Sequence, residues 1–501
     1  MNEATRQMGL GELTDVIGPD RVIGLPVGEV RSLAYDSRNV VAGTLFFAVP
    51  GVHVDGHAFA ADAVERGALA VVAEREIVDL QVPQLIVDGT RRALADAADA
   101  WFGRPSQQLE VVGITGTDGK TTTSFLVVAM LLGAGRRPGL VGTVARRVGD
   151  VEQPNDERST TPESLELQAL LADMVAAGND SVALEATSHG LALDRVRNCR
   201  FDAGIVTTVS SEHLEFHGTL EAYRAAKAKL VEEAPLSMLN ADDGTYAYFR
   251  ERARDRVVSY AIDAAADVRA SHVDAGPHGT RFVVDGPRWS GSVSLQLPGW
   301  FNVYNALAVL ALAEGLGLDP ETAARSVSEL SGVPGRMQRV DEGQPFTVVV
   351  DYAHTTDSLE KVLGVLRPLT AGRLLAVFGS AGERDRTKRP AMGAVAARLA
   401  DVVVVTDEDP RLEDGHAINE EIADGARGAG ATDGESLFVI DDRHEAIEHA
   451  VSLARAGDVI LLAGKGHEQS MIYGTERRPW DEREAARRAL RGAGFGEHAG
   501  G

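Results

Sequence analysis

The chain has 501 residues, 44% hydrophobic and 25% charged, which is a globular composition several domains long and excludes a disordered or low-complexity protein. Its 50 Lys and Arg against 74 Asp and Glu give a net charge of −24, a field that repels polyanions and excludes general binding to nucleic acid or anionic membrane. Cys199 is the only cysteine, so neither an internal disulfide nor a cysteine-built metal centre is possible.

The amino-terminal MNEATRQMGLGELTDVIG lacks a basic stretch leading into an apolar core, and no run of about 18 apolar residues follows anywhere, so a soluble cytoplasmic protein without membrane insertion is expected. Residues 31–104 alternate short apolar runs with turns (RSLAYDSRNV, GTLFFAVPG, ALAVVAE, PQLIVDG) around one helical stretch, AFAADAVERG. This pattern predicts a small mixed α/β domain over 1–105, closed by Gly103 and Pro105. From 109 onward VVGIT, SVALEAT, AGIVTTV and SMLNAD alternate with helical runs such as SFLVVAMLLGAG, which predicts a mainly parallel sheet in a central P-loop-type domain over 106–333. The break Val333-Pro334-Gly335 opens a third α/β segment, 334–501, where TVVVDYAH, RLLAVFGSAG, DVVVVTDEDP, SLFVIDD and DVILLAGKG recur between helices in a Rossmann-like pattern. The expected fold class is therefore α/β in three domains. Polar residues gather after the apolar runs, at Asp351–His354, Gly379–Glu383, Asp407–Arg411 and Gly464–Glu468, where open α/β sheets bind ligands.

The strongest chemical signal is Gly113–Thr123, GITGTDGKTTT. It is a variant of the phosphate-binding loop, with five residues instead of four between Gly113 and Gly119. Gly116 and Gly119 allow close approach of the backbone, amide N–H groups face phosphates, Lys120 supplies charge and Thr121 can ligate Mg²⁺, with Thr117, Asp118 and Thr122 completing the expected ATP-binding loop. An ATP-using enzyme follows, although the loop alone names neither base nor reaction.

GTDGKTTT, together with ALEATSHGLAL (183–193), SSEHLEFHGTLEAYRAAKAKL (210–230), GWFNVYNALAVLA (299–311), GRMQ (335–338), VDYAHTTDSLEKVL (350–363) and GKGHEQ (464–469), resembles the Mur ligases along nearly the whole chain. The segments DSR (36–38) and GTLFFAVPGVHVDGHAF (43–59) are similar to those of the members that add the third residue of the peptidoglycan stem peptide. The resemblance implies ATP-dependent joining of a diamino acid (L-lysine, L-ornithine or meso-diaminopimelate) to UDP-N-acetylmuramoyl-L-alanyl-D-glutamate. The implied route passes through an acyl phosphate, with catalysis by positioning and charge neutralisation.

By the same resemblance Thr121, Glu185 and His213 stand at Mg²⁺ sites, and Lys227 is the lysine that CO₂ carbamylates to give a further metal-holding anion. Asn302, Asn305, Arg336 and Asp351 match nucleotide-contacting positions, Asn302 being equally able to cap its helix. Tyr35, Ser37 and His53 are implied near uridine, and Thr160, Thr161, Thr187 and Arg195 along the muramoyl-dipeptide, with Arg195 the bidentate partner for a carboxylate. Ser159 and Leu193 depart from the common pattern. Arg384, Glu408, Asp409, Pro410, Arg411, Gly464 and Glu468 occupy the positions that select the incoming amino acid. Asp409 replaces an amide by a carboxylate, which would repel a distal substrate carboxylate and favour L-lysine or L-ornithine, unless Arg411 neutralises it. A monomer whose third domain closes over ATP is implied. The weighed alternatives are a folate polyglutamate synthetase-like ligase, disfavoured by the DSR segment, and a P-loop regulator that does not ligate.

Overall fold

A strand buried on both faces needs apolar residues at every position, and a strand with one wet face alternates. The run EVVGIT is of the first kind and forms the strand Glu110–Thr115 in the middle of a largely parallel sheet. The computed structural model describes residues 7–51, 54–155, 159–210, 212–276 and 279–496. They fall into two compact units, Met1–Arg269 with Gly286–Trp289 and Tyr304–Ala324, and Ala270–Asp285 with Ser290–Val303 and Arg325–Gly501.

In the first unit the strand Glu110–Thr115 pairs in parallel with Ser181–Glu185 on one side and Ala203–Val206 on the other. The sheet continues in parallel through Pro138–Val141 beyond the former and Leu236–Asn240 and Arg256–Ala261 beyond the latter. An antiparallel hairpin, Ala145–Val148 with Val151–Pro154, finishes one edge. This register puts Thr115, Glu185 and Val206 at one rim. Leu167, Leu171 and Met174 of the helix Ser164–Ala176 pack with Val182 and Leu184 in a core that also takes Leu230. The same unit holds a smaller sheet, Arg21–Ile23, Gln84–Ile86, Ala68–Ala73, Thr44–Phe47 and Ser32–Ala34 in spatial order, parallel except for its first pair. The mixed α/β character expected for the amino-terminal segment is therefore found.

The second unit has the period-two signature of a sheet covered on both sides. Val349, Ala376, Phe378, Val403, Val405 and Leu461 face one core, and Val348, Val350, Leu375, Val377, Val404 and Leu462 face the other. The helices Thr356–Leu369, Lys388–Leu399 and Gly415–Gly428 cover the first face, and Arg443–Leu453 and Glu482–Gly492 the second. Spatial order is Gln338–Val340, Thr347–Asp351, Val459–Ala463, Leu374–Phe378, Val402–Val405, Leu437–Val439, with only the first strand antiparallel. All five parallel strands point their carboxyl ends to one rim, and there the expected polar segments lie.

Candidate active site

In the first unit the glycine loop crosses the rim from Thr115 to the helix Lys120–Gly133. Gly116 has φ 150, and a Cβ there would lie 1.9 Å from Thr207 Oγ1; Gly119 has φ 87, and a Cβ there would lie 2.5 Å from Asn305 Oδ1. No other residue type fits either place without displacing the loop. The next strand end pins the loop: Thr117 N donates to Thr208 O at 2.6 Å, and Thr207 Oγ1 donates to Thr115 O at 3.1 Å and to Asp118 O at 2.5 Å. The helix has no side-chain cap, so its first amides point outward without an intrahelical acceptor, as an anion site requires. Lys120 Nζ meanwhile donates to Gly116 O at 2.9 Å and Thr117 O at 2.8 Å.

Glu185 is fully buried, and its carboxylate accepts from Thr121 Oγ1 (3.1 Å), Ser124 Oγ (3.2 Å), Thr143 N (3.1 Å) and Thr143 Oγ1 (2.9 Å). It has no ion-pair partner among the described residues. A buried carboxylate held only by neutral donors remains costly until a cation arrives. With Thr121 beside it, Glu185 fits one corner of a Mg²⁺ site, a metal that takes few protein oxygens and completes its shell with phosphates and water. Among the described residues no group of three or more His, Cys, Asp or Glu could hold a metal by itself. His213 has φ 55, its ring centre lies 4.8 Å from that of His189, and its acidic neighbours are Glu212 and Glu215.

Lys227 enters from the helix Leu220–Glu233 and is 1% exposed; its Nζ donates to Gly116 O at 2.7 Å and sits 4.5 Å from the centre of the Tyr223 ring. Burial, helped by the nearby Lys120 charge, pushes its amine well below the ordinary lysine value, against the pull of Glu212 and Asp118. Lys229, the neighbouring lysine, instead donates to Leu191 O at 2.8 Å.

A ladder of hydroxyls runs outward from Glu185. Thr143 Oγ1 meets Thr160 Oγ1 at 3.0 Å, while Thr161 Oγ1 donates to Glu185 O at 2.8 Å and meets Thr187 Oγ1 at 3.0 Å. Arg195 donates to Ser159 Oγ (2.9 Å) and Thr161 O (3.0 Å). Its other amino group pairs at 2.7 Å with Glu163, which also holds Arg91 at 2.9 Å. Glu163 thus gives Arg195 a carboxylate partner within the protein. Tyr35 donates to Glu166 Oε1 at 3.0 Å, Ser37 is buried at the start of the turn Ser37–Asn39, and His53 lies outside the described residues.

In the second unit Asp351 is buried, accepting from Met337 N at 2.8 Å and Ala353 N at 2.9 Å; burial raises its carboxyl against the opposing charge of Arg336. The Arg336 guanidinium lies 5.2 Å from the centre of the Tyr352 ring. Asn302 lies inside the helix Phe301–Leu316 and its amide donates to Pro298 O at 2.8 Å, which tethers the preceding turn. Asn305 belongs to the first unit and accepts from Thr123 Oγ1 at 3.3 Å.

The residues expected to select the amino acid also lie in this unit. Glu408 is buried, its Oε2 lacks a hydrogen-bond partner, and burial raises its carboxyl against His354, Lys388, Lys465 and Arg443. Gly464 has φ 104, and a Cβ there would come within 2.6 Å of that oxygen. Arg411 N donates to Ile472 O at 3.0 Å and Gly474 N to Arg411 O at 2.7 Å, which stitches Asp409-Pro410-Arg411 to the hairpin Ser470–Tyr473 with Glu476–Pro479. Arg384 is exposed. One expectation needs correction. Asp409 is not uncompensated, and its partner is not Arg411: Lys465 Nζ donates to Asp409 Oδ1 at 2.9 Å. Lys465 lies 56 positions from Asp409 in the chain, so no local pattern links the two.

The Mur ligase middle domain matches residues 114–313, the Mur ligase glutamate ligase domain 335–466, and the Mur ligase family catalytic domain 29–102. The chain belongs to the Mur ligase family. Members of the family are ATP-dependent ligases that form peptide bonds and use ATP with Mg²⁺. A UDP-N-acetylmuramyl-tripeptide synthetase of Roseiflexus sp. (strain RS-1) is 47% identical over 93% of this chain and 96% of its own length. A UDP-N-acetylmuramoyl-L-alanyl-D-glutamate–2,6-diaminopimelate ligase of Streptomyces coelicolor is 43% identical over 96% of each chain. A solved structure of a ligase with the latter name superposes with TM-score 0.69 at 30% identity, over 98% of this chain and all of its own. Among the described residues no helix is long and apolar enough to cross a membrane.

Proposed function

We propose that this Mur ligase joins a diamino acid (L-lysine, L-ornithine or meso-diaminopimelate) to the D-glutamyl carboxylate of UDP-N-acetylmuramoyl-L-alanyl-D-glutamate, with cleavage of ATP to ADP and phosphate. The observation that carries the reading is Glu185, a buried carboxylate with only neutral donors, meeting Thr121 at the uncapped start of a helix beneath a glycine loop. Bound Mg²⁺ supplies charge neutralisation for the phosphoryl groups in that corner. Glu185 and Thr121 hold it, His213 being a further donor, and Gly116–Thr122 with Lys120 receive the phosphates. Lys120 must exchange its two carbonyl partners for phosphate oxygens. Asn302, Arg336 and Asp351 contact the nucleoside.

Lys227 is carbamylated in this reading. The neutral amine adds to CO₂, forming one N–C bond and releasing one proton, and an amine kept neutral by burial is the form that reacts. Residues 1–105, with Tyr35, Ser37 and His53, receive the uridine end. Thr160, Thr161, Thr187 and Arg195 bind the muramoyl-dipeptide, and residues 334–501 bind the incoming amino acid through Arg384, Glu408–Arg411, Gly464 and Glu468. Transfer of the γ-phosphoryl group to the D-glutamyl carboxylate gives an acyl phosphate, which the amine then attacks with loss of phosphate. Purified enzyme should release ADP only when the UDP-linked dipeptide and a diamino acid are both present; steady ATP hydrolysis without either would refute the reading in favour of a nucleotide-driven regulator.

A further inference from the structure

The pocket around Asp409 holds an internal cation. Lys465 is 0% exposed, and its ammonium bonds Asp409 Oδ1 at 2.9 Å and Glu468 Oε2 at 2.5 Å. Asp409 Oδ1 also accepts from Ile472 N at 3.0 Å, so this oxygen is fully occupied. Among the described residues the other oxygen of Glu468 meets only the Tyr352 hydroxyl, at a loose 3.5 Å, and the Glu468 side chain is 35% exposed. Arg411 and Arg384 have no ion-pair partner among the described residues, and Arg411 Nε is buried without a hydrogen bond. A buried ammonium shared by two carboxylates fixes both and halves the negative charge they present.

We propose that Lys465 is a positioning residue that sets selectivity for the incoming diamino acid. By cancelling Asp409 and clamping one oxygen of Glu468, it leaves the free Glu468 oxygen to accept the substrate ammonium and Arg411 to meet a substrate carboxylate. This rests on the reading of these residues as the amino-acid site. Without Lys465, two bare carboxylates would face the substrate; one carrying a distal carboxylate would be repelled, and one ending in a bare ammonium would gain.

The test is competition. Parent and variants receive ATP, the UDP-linked dipeptide and an equimolar mixture of L-lysine and meso-diaminopimelate, and mass spectrometry gives the ratio of the two UDP-tripeptides. A folding defect lowers both products together and only selectivity moves their ratio. Lys465→Met should shift the ratio toward lysine by about tenfold, through KM for the amino acid, with KM for ATP unchanged. Asp409→Asn, which leaves Lys465 unbalanced, should shift it toward diaminopimelate by about threefold, and this arm stands even if Lys465→Met does not fold. Adding Asp409→Asn to Lys465→Met should return the ratio toward the parent value. An unchanged ratio in Asp409→Asn and in any folded Lys465→Met, with amino-acid KM altered, overturns the proposal but leaves the site reading standing. An amino-acid KM that no variant moves overturns both.

Discussion

Replacing Glu185 by Gln separates a metal ligand from a structural acid, because the two side chains have nearly the same shape. Oε1 accepts from Ser124 Oγ and Thr143 N, and Oε2 accepts from Thr121 Oγ1 and Thr143 Oγ1. The amide oxygen can keep the place of Oε1, since Thr143 N–H cannot turn away. The amide nitrogen then faces two hydroxyls, and hydroxyls can rotate from donating to accepting. A hydrogen bond to a charged group contributes roughly 1.5–3 kcal/mol against 0.5–1.5 for a neutral one, so the exchange costs about 1 kcal/mol at each of the four bonds. Removing a fully buried anion that lacks a cation returns several kcal/mol. The terms nearly cancel, and Glu185→Gln should lie within about 2 kcal/mol of the parent in stability. Turnover should fall at least ~100-fold, the scale of losing one electrostatic contact to a transition state. Thermal or urea unfolding without ligands gives the first quantity, and ADP release at saturating substrates, titrated with Mg²⁺, gives the second. A folded Glu185→Gln enzyme with parental turnover and Mg²⁺ requirement would refute the metal assignment; a loss of stability beyond about 3 kcal/mol would refute the reasoning about its hydrogen bonds.

Lys227→Met should stay folded and lose ligation, and parental enzyme in CO₂-depleted buffer should recover activity on adding bicarbonate; activity indifferent to bicarbonate would show that no carbamate is needed. The sign with pH also follows: the folded amine binds protons less readily than the unfolded one, so its unfavourable contribution is largest at low pH and disappears as pH rises toward the ordinary lysine value of about 10.4. The melting-temperature gain of Lys227→Met over the parent should therefore narrow as pH rises. Arg195→Lys cannot span Ser159 Oγ, Thr161 O and Glu163 with one ammonium; KM for the UDP-linked dipeptide should rise about tenfold while KM for ATP is unmoved, as steady-state kinetics will tell. Gly464→Ala forces a Cβ toward Glu408 at positive φ and should destabilise the second unit by about 1–3 kcal/mol, measured by urea unfolding, while raising KM for the diamino acid.

The legible parts of the fold were those where burial leaves a continuous apolar run. EVVGIT, SVALE and the five carboxyl-terminal parallel strands are of this kind, and the turns and glycines after them mark the rim. The hairpin Gly279–Asp285 with Ser290–Leu295 escaped, because TRFVVD and SGSVSL alternate apolar and polar residues around one wet face and imitate loops. Candidate site residues carried by a motif (Lys120, Glu185, Lys227, Gly464) could be named from the sequence alone. Those that act across space could not. Thr143 donates twice to Glu185 from a stretch with no motif, Glu163 takes Arg195, and Lys465 sat inside the quoted GKGHEQ yet its partner Asp409 is 56 positions away. Charge on a list of neighbours says nothing about which opposite charge the fold delivers.

The bonds from Thr207 to the carbonyls of Thr115 and Asp118, and from Thr117 N to Thr208 O, have a consequence for binding. They hold the nucleotide loop in shape before any nucleotide arrives, so the conformational entropy of ordering it is lost during folding and not on association. A triphosphate that takes Lys120 must displace its grip on two backbone oxygens, those of Gly116 and Thr117. Mutations that loosen Thr207 would thus weaken nucleotide affinity without removing a single atom that touches the nucleotide.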